Sequence, residues 1–185
     1  MKNRLFVGLL MVVIVFVFAF NGFTQDKEFK YIGSQKCKMC HNSKKSGEQY
    51  SIWENSLHSK AFTTLASEEA KTIAQKQGIE DPQKSEKCLT CHVTGYGKAA
   101  SMFEASFSQD EGVGCEACHG PGSEYKSMKV MKGITAGDLK AADYGLVMPD
   151  EAACKTCHND KSPTFKGFDY KTFYAKIAHP IPAAK

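Results

Sequence analysis

Gly112-Val113-Gly114-Cys115-Glu116-Ala117-Cys118-His119-Gly120-Pro121-Gly122 is the stretch that decides how this chain is built. Two cysteines three positions apart, followed at once by a histidine, make a Cys-x-x-Cys-His frame, and Gly-Pro-Gly forces a sharp bend directly behind it. The frame recurs at Cys37-Lys38-Met39-Cys40-His41, at Cys88-Leu89-Thr90-Cys91-His92 and at Cys154-Lys155-Thr156-Cys157-His158. These four frames use all 8 cysteines and four of the 6 histidines. The text between them repeats at no fixed period, so the frames are beads on an irregular chain rather than units of a solenoid.

Each frame has a mechanical logic. Its two thiols add across the two vinyl groups of a haem, the two intervening residues span the distance between them in one tight helical turn, and the adjacent imidazole ligates the iron. A thioredoxin-like site uses Cys-x-x-Cys but has no use for a following histidine. Zinc sites pair such units without requiring histidine after each one. An exported chain with eight cysteines would otherwise suggest four disulfides. The cofactor expectation is therefore four covalent haem c groups, attached at Cys37, Cys40, Cys88, Cys91, Cys115, Cys118, Cys154 and Cys157. His41, His92, His119 and His158 are the expected proximal ligands.

Two histidines remain, His58 and His179, and both are expected to be distal ligands presented from helices with aromatic neighbours. Two imidazoles cannot complete four irons. Methionine is the natural substitute and raises the reduction potential. Met128 and Met131, just past the Gly-Pro-Gly bend, are the lower-ranked candidates; Met102 and Met148 lie in other linkers, and Lys129 ranks below them. Methionine also fills irregular gaps in cores, so each has a packing reading beside the ligand one.

Working outward from the frames, Tyr50, Trp53, Leu57, Ala61 and Leu65 recur with helical spacing, which predicts one helix from Glu48 to Leu65 carrying His58. A second helix is expected over 67–77, with Ser67 as its cap and Gly78 as its end. Asp81-Pro82 turns the chain into the second frame. Residues 93–114 read as loop with room for a short hairpin. Helical turns are expected over 125–131, and a helix over 169–178 closed by Pro180, with His179 at its end. Little alternates with period two, and aliphatic residues are too few for a large core. The fold class expected is mainly α: an irregular helical chain wrapped around four haems, with little β.

The chain of 185 residues opens with Lys2 and Arg4 ahead of an uncharged apolar run from Leu5 to Phe20. That pattern reads as an export signal, because a spanning helix needs about 20 apolar residues. Residues 1–24 are expected to be the signal peptide, with the cut between 20 and 26, and residues 25–185 one tetrahaem cytochrome c domain. The competing reading is a membrane anchor at residues 5–20. The protein is expected to be exported, to the periplasm or beyond the cell. Net charge is +4, of which Lys2 and Arg4 supply two, and no basic stripe suited to nucleic acid is present.

Three stretches together resemble the tetrahaem cytochrome c-554 family. They are Cys37 to His41 followed by Trp53 and Ser56-Leu57-His58-Ser59-Lys60-Ala61, then Cys88 to His92 followed by Val93-Thr94-Gly95-Tyr96-Gly97, and the Gly112–Gly122 stretch. The resemblance runs from about Tyr31 to His158, and more weakly through His179. It implies a mainly helical protein with close-packed haems, distal ligation by His58 and His179, and a five-coordinate iron at His92. There is one departure. The family places a further distal histidine shortly after the Gly-Pro-Gly bend, where this chain reads Ser123-Glu124-Tyr125-Lys126-Ser127-Met128-Lys129. The iron at His41 is then Met-ligated, Lys-ligated or open.

The function expected is electron transfer, with other cytochromes or redox enzymes as briefly docked partners. A membrane quinol-oxidising protein or an outer-membrane conduit is compatible, as is assembly into an oligomer or filament. The alternative is an enzyme that reduces nitric oxide, nitrite or hydroxylamine at a five-coordinate haem.

Overall fold

A computed structural model describes residues 28–180; the export signal, and with it the anchor reading, lies outside the described residues. Nine short α-helices follow one another among the described residues: α1 Gln35–His41, α2 Gln49–Glu54, α3 Ala61–Thr64, α4 Glu68–Lys76, α5 Glu86–His92, α6 Cys115–His119, α7 Met128–Ala136, α8 Glu151–Lys155 and α9 Tyr170–Tyr174. No strand occurs among them; an isolated parallel bridge joins Tyr31 to Phe103. No helix among the described residues is long and apolar enough to cross a membrane.

Helix starts follow local chemistry. Ser67, Ser127, Asp150 and Asp169 each accept a hydrogen bond from the backbone N–H three residues on, satisfying a donor that the first turn leaves unpaired. Three of the four Cys-x-x-Cys-His frames end a helix at their histidine: α1, α5 and α6. Residues i and i+3 share a helix face, so both thiols of such a frame point the same way. In the fourth frame Cys154 lies in α8, and Cys157 and His158 lie in the turn after it.

Several expected boundaries are corrected. The single helix over 48–65 is broken into α2 and α3. Between them Asn55 Nδ2 donates to the Ser51 carbonyl at 2.8 Å, Ser56 Oγ to the Trp53 carbonyl at 2.7 Å and Ser59 Oγ to the Glu54 carbonyl at 2.9 Å. These side chains compete for the backbone groups that a continuing helix would need. His58 therefore sits in the turn, and Leu57, expected to face inward, is 85% exposed. The last helix is shorter than expected, so His179 lies in irregular chain beyond α9 and the turn that follows it. The turns expected over 125–131 are present as a turn at 123–126 and a helix that begins at Met128 and runs on to Ala136. No hairpin forms in residues 93–114; Phe103 pairs with Tyr31 instead.

The buried apolar core is small. It comprises Ile32, Tyr50, Trp53, Leu65, Ala74, Leu89, Val93 and Tyr125. Leu65, Leu89 and Val93 pack together with Phe62, Cys88 and Tyr96 against them, which anchors the second frame to the His58 turn. Trp53 Nε1 donates to the Val113 carbonyl at 2.8 Å, tying α2 to the entrance of the third frame.

Glu116, between the cysteines of that third frame, is buried, and its carboxylate accepts from the N–H groups of Ile32, Gly33 and Gly122 at 2.6–3.0 Å. A side chain inside one frame thus fastens the chain entering the first. Glu111 adds a second tie by accepting from the Ser34 N–H at 2.5 Å.

Candidate haem-binding site

The structure brings four of the six histidines together in two pairs. The His58 and His158 ring centroids are 6.1 Å apart, and those of His119 and His179 are 5.8 Å apart. Two imidazoles holding one metal from opposite sides through bonds of about 2 Å have centroids roughly 6 Å apart. Both pairs therefore fit an iron between them. His41 and His92 stand outside the two pairs. Burial pulls His58, His119, His158 and His179 below the usual imidazole value, and the neighbouring imidazole adds to this at His58 and His119. That favours the neutral, ligating form.

Two of the rings expected to be proximal are also oriented. His92 Nδ1 lies 2.7 Å from the Ala61 carbonyl and His119 Nδ1 lies 3.1 Å from that of Val147. A carbonyl only accepts, so Nδ1 is the protonated nitrogen in each and Nε2 keeps its lone pair for a metal. Sequence reasoning missed Ala61 and Val147, since a backbone acceptor leaves no trace in residue type. His158 is fixed differently: Phe168 stacks on it at 4.9 Å and Phe173 meets it edge-on at 5.6 Å. Phe168 and Phe173 thus give the place beside His158 an apolar lining of the kind a porphyrin requires.

No disulfide joins any of the eight cysteines, and their neighbours order the frames in space. Cys37 and Cys115 lie close enough to perturb each other electrostatically. Cys118 lies near Cys154 and Cys157, and Cys91 contacts Cys157. The frames thus run first, third, fourth, second, an order unlike that along the chain. Met128 opens α7 and is 62% exposed; Met131 is half-buried one turn on.

A mainly helical chain with Cys-x-x-Cys-His turns, and with imidazoles paired at metal-spanning distance, is a multihaem c-type cytochrome. Residues 36–120 match the family model described as cytochrome c554 and c-prime. Cytochrome c-554 of Nitrosomonas europaea is 29% identical over 181 residues, spanning 90% of this chain and 73% of that relative. The solved reduced state of cytochrome c554 from the same organism superposes with a TM-score of 0.52 at 25% identity, covering 80% of this chain and 78% of that one. The chain is similar to the cytochrome c554 family over most of its length. It binds haem c covalently and serves electron transfer.

Proposed function

We propose that this chain is an exported, periplasmic electron carrier with four haem c groups, one at each frame. His41, His92, His119 and His158 are the proximal ligands, His58 completes the iron of the fourth frame, and His179 completes that of the third. The observation that carries this reading is the pair of imidazole couples at 6.1 and 5.8 Å. Bound haem supplies a one-electron iron couple. The chain's own residues do the rest. The thiol pairs hold each ring where little protein surrounds it. The Val147 carbonyl aims His119, and the paired histidines would hold two irons between them, which would leave the ligands in place as electrons pass. Contact between neighbouring frames keeps each transfer short, and tunnelling falls exponentially with distance.

The iron at His41 takes Met128, Met131 or Lys129 as its sixth ligand, or stays open. Other cytochromes or redox enzymes dock briefly, as their small interfaces allow. The test is electron paramagnetic resonance of the oxidised holoprotein. His58→Ala and His179→Ala are each expected to convert one low-spin iron to high-spin, with the mass still showing four attached haems. If neither substitution changes the spin count, the assignment fails.

A second reading rests on His92, whose ring is aimed by the Ala61 carbonyl yet belongs to neither imidazole couple. An iron held there with an open face is placed to bind and reduce nitric oxide, nitrite or hydroxylamine. Adding nitric oxide to the reduced protein is expected to shift the spectrum of a single haem. A spectrum that does not respond removes this reading.

A further inference from the structure

The frames form a series whose ends are the first and the second, and the two ends differ in charge and exposure. No acidic residue occurs from Phe29 to Gly47, whereas Lys30, Lys36, Lys38, Lys44 and Lys45 all fall there. Lys36, Lys44 and Lys45 are exposed and make no ion pair among the described residues. Lys38 is held inward by Glu54 at 3.5 Å and over the Tyr50 ring at 5.0 Å. Met39, in the same run of sequence, is 90% exposed.

The other frames lack this collar. Around the second, Glu80, Asp81 and Glu86 offset Lys84 and Lys87, with Lys84 bound to Asp81 at 2.9 Å. Around the fourth, Asp150, Glu151 and Asp160 offset Lys155 and Lys161, with Lys155 bound to Glu151 at 2.6 Å. Glu116 of the third frame is buried against the Ile32 and Gly33 N–H groups at the entrance of the first, so it puts no exposed negative charge on the lysine face.

We propose that the lysine-collared face around Cys37–His41 is the docking surface on which an acidic redox protein exchanges electrons with this chain. The proposal rests on the electron-carrier reading and names the partner and its point of entry. Charge of one sign steers an oppositely charged partner and sets its orientation, while Met39 offers a small dry contact that releases easily. The same face belongs to the first frame, so a docked partner's redox group would meet the haem system at one end of the series. Each productive encounter moves one electron from the partner's reduced group to a ferric iron.

The test uses the assembled holoprotein and reduced flavodoxin, an acidic flavoprotein, as the probe; its flavin is oxidised as an iron is reduced. The second-order rate constant is expected to fall steeply with ionic strength. Lys36→Glu/Lys44→Glu/Lys45→Glu should lower it about tenfold or more at low salt. The charge-matched variant Lys76→Glu/Lys87→Glu/Lys98→Glu should lower it far less, and reduced lumiflavin, small and neutral, should react equally with all three proteins. Carbodiimide coupling, which joins amines to carboxylates, should give flavodoxin adducts at Lys36, Lys44 or Lys45.

Equal losses in the two triple variants, or adducts spread over other lysines, would overturn the docking surface and leave the carrier reading standing. So would a first triple variant that keeps its rate and loses only its binding to phosphatidylserine vesicles, which would mark the face as a lipid contact. Failure of both flavodoxin and lumiflavin to reduce the holoprotein would bring down the carrier reading, and the proposal with it.

Discussion

At Glu116 the identity of one residue inside a Cys-x-x-Cys-His frame does more than fill the gap between thiols. Its carboxylate takes the N–H groups of Ile32, Gly33 and Gly122, so Glu116→Ala leaves three buried donors without an acceptor and should cost about 3 kcal/mol in denaturant unfolding. Burial is the larger influence on its acidity and raises the carboxyl above 4.5, while the three N–H groups pull it back. A raised value means the folded chain binds the proton more tightly than the unfolded one. The contribution to stability is then complete below about pH 4.5 and is lost as pH rises through the raised value. Glu116→Gln carries no such charge. The stability of the Gln variant relative to the unsubstituted protein should therefore improve from pH 4 to pH 7, measured by unfolding at each pH. A constant difference would show that the amide bonds offset the cost of burial.

Among the elements, the turn from Asn55 to Lys60 bears most on the chemistry. It presents His58 to His158, and three residues on the Ala61 carbonyl aims His92, so one short segment serves two frames. Gly112 is the wall behind it. Its φ is +65°, and an added Cβ would lie 2.8 Å from the His58 carbonyl oxygen and 3.1 Å from the Ala61 nitrogen, both backbone atoms that cannot swing aside. Gly112→Ala should therefore lower stability by upward of about 2 kcal/mol and produce a high-spin signal as His58 is displaced. Gly97→Ala is the control: its φ is +81° with open space around it, so it should cost only about 1 kcal/mol and leave the spin state unchanged.

The same turn marks what was legible in the sequence. The spacing of Tyr50, Trp53 and Leu65 identified their burial correctly. It could not reveal that Asn55, Ser56 and Ser59 would capture backbone carbonyls and end the helix before His58, because that contest is decided by hydrogen bonds and not by hydrophobic period. Ser67 and Gly78 bounded α4 as their cap chemistry dictates. The coupling of His58 with His158, 100 positions apart, and of His119 with His179 is through-space information. So is the spatial order of the frames, which differs from their order along the chain.

For the molecule as a whole, eight buried apolar side chains serve 153 described residues (28 to 180), while Leu57, Met128, Val147, Met148, Phe173 and Tyr174 lie exposed. A chain of this size normally encloses a continuous core to offset the conformational entropy lost on folding. In the proposed holoprotein that role falls to the haems, which the imidazole couples would hold, with Phe168 and Phe173 packed against His158. Attachment and folding should then be one event, as metal binding and folding are in small metal-dependent domains. Polypeptide produced without the haem-attachment machinery is expected to show weak near-ultraviolet circular dichroism, no cooperative thermal transition and a radius larger than that of the holoprotein. Removing one frame, as in Cys154→Ala/Cys157→Ala, should loosen the His58 turn most, since His158 is its partner across the pair. Hydrogen exchange would register the loss as faster exchange at residues 56–62, with the Ile32–Glu116 clamp still protected. Equal exchange across both regions would mean that the fold is carried by the polypeptide rather than by the groups it encloses.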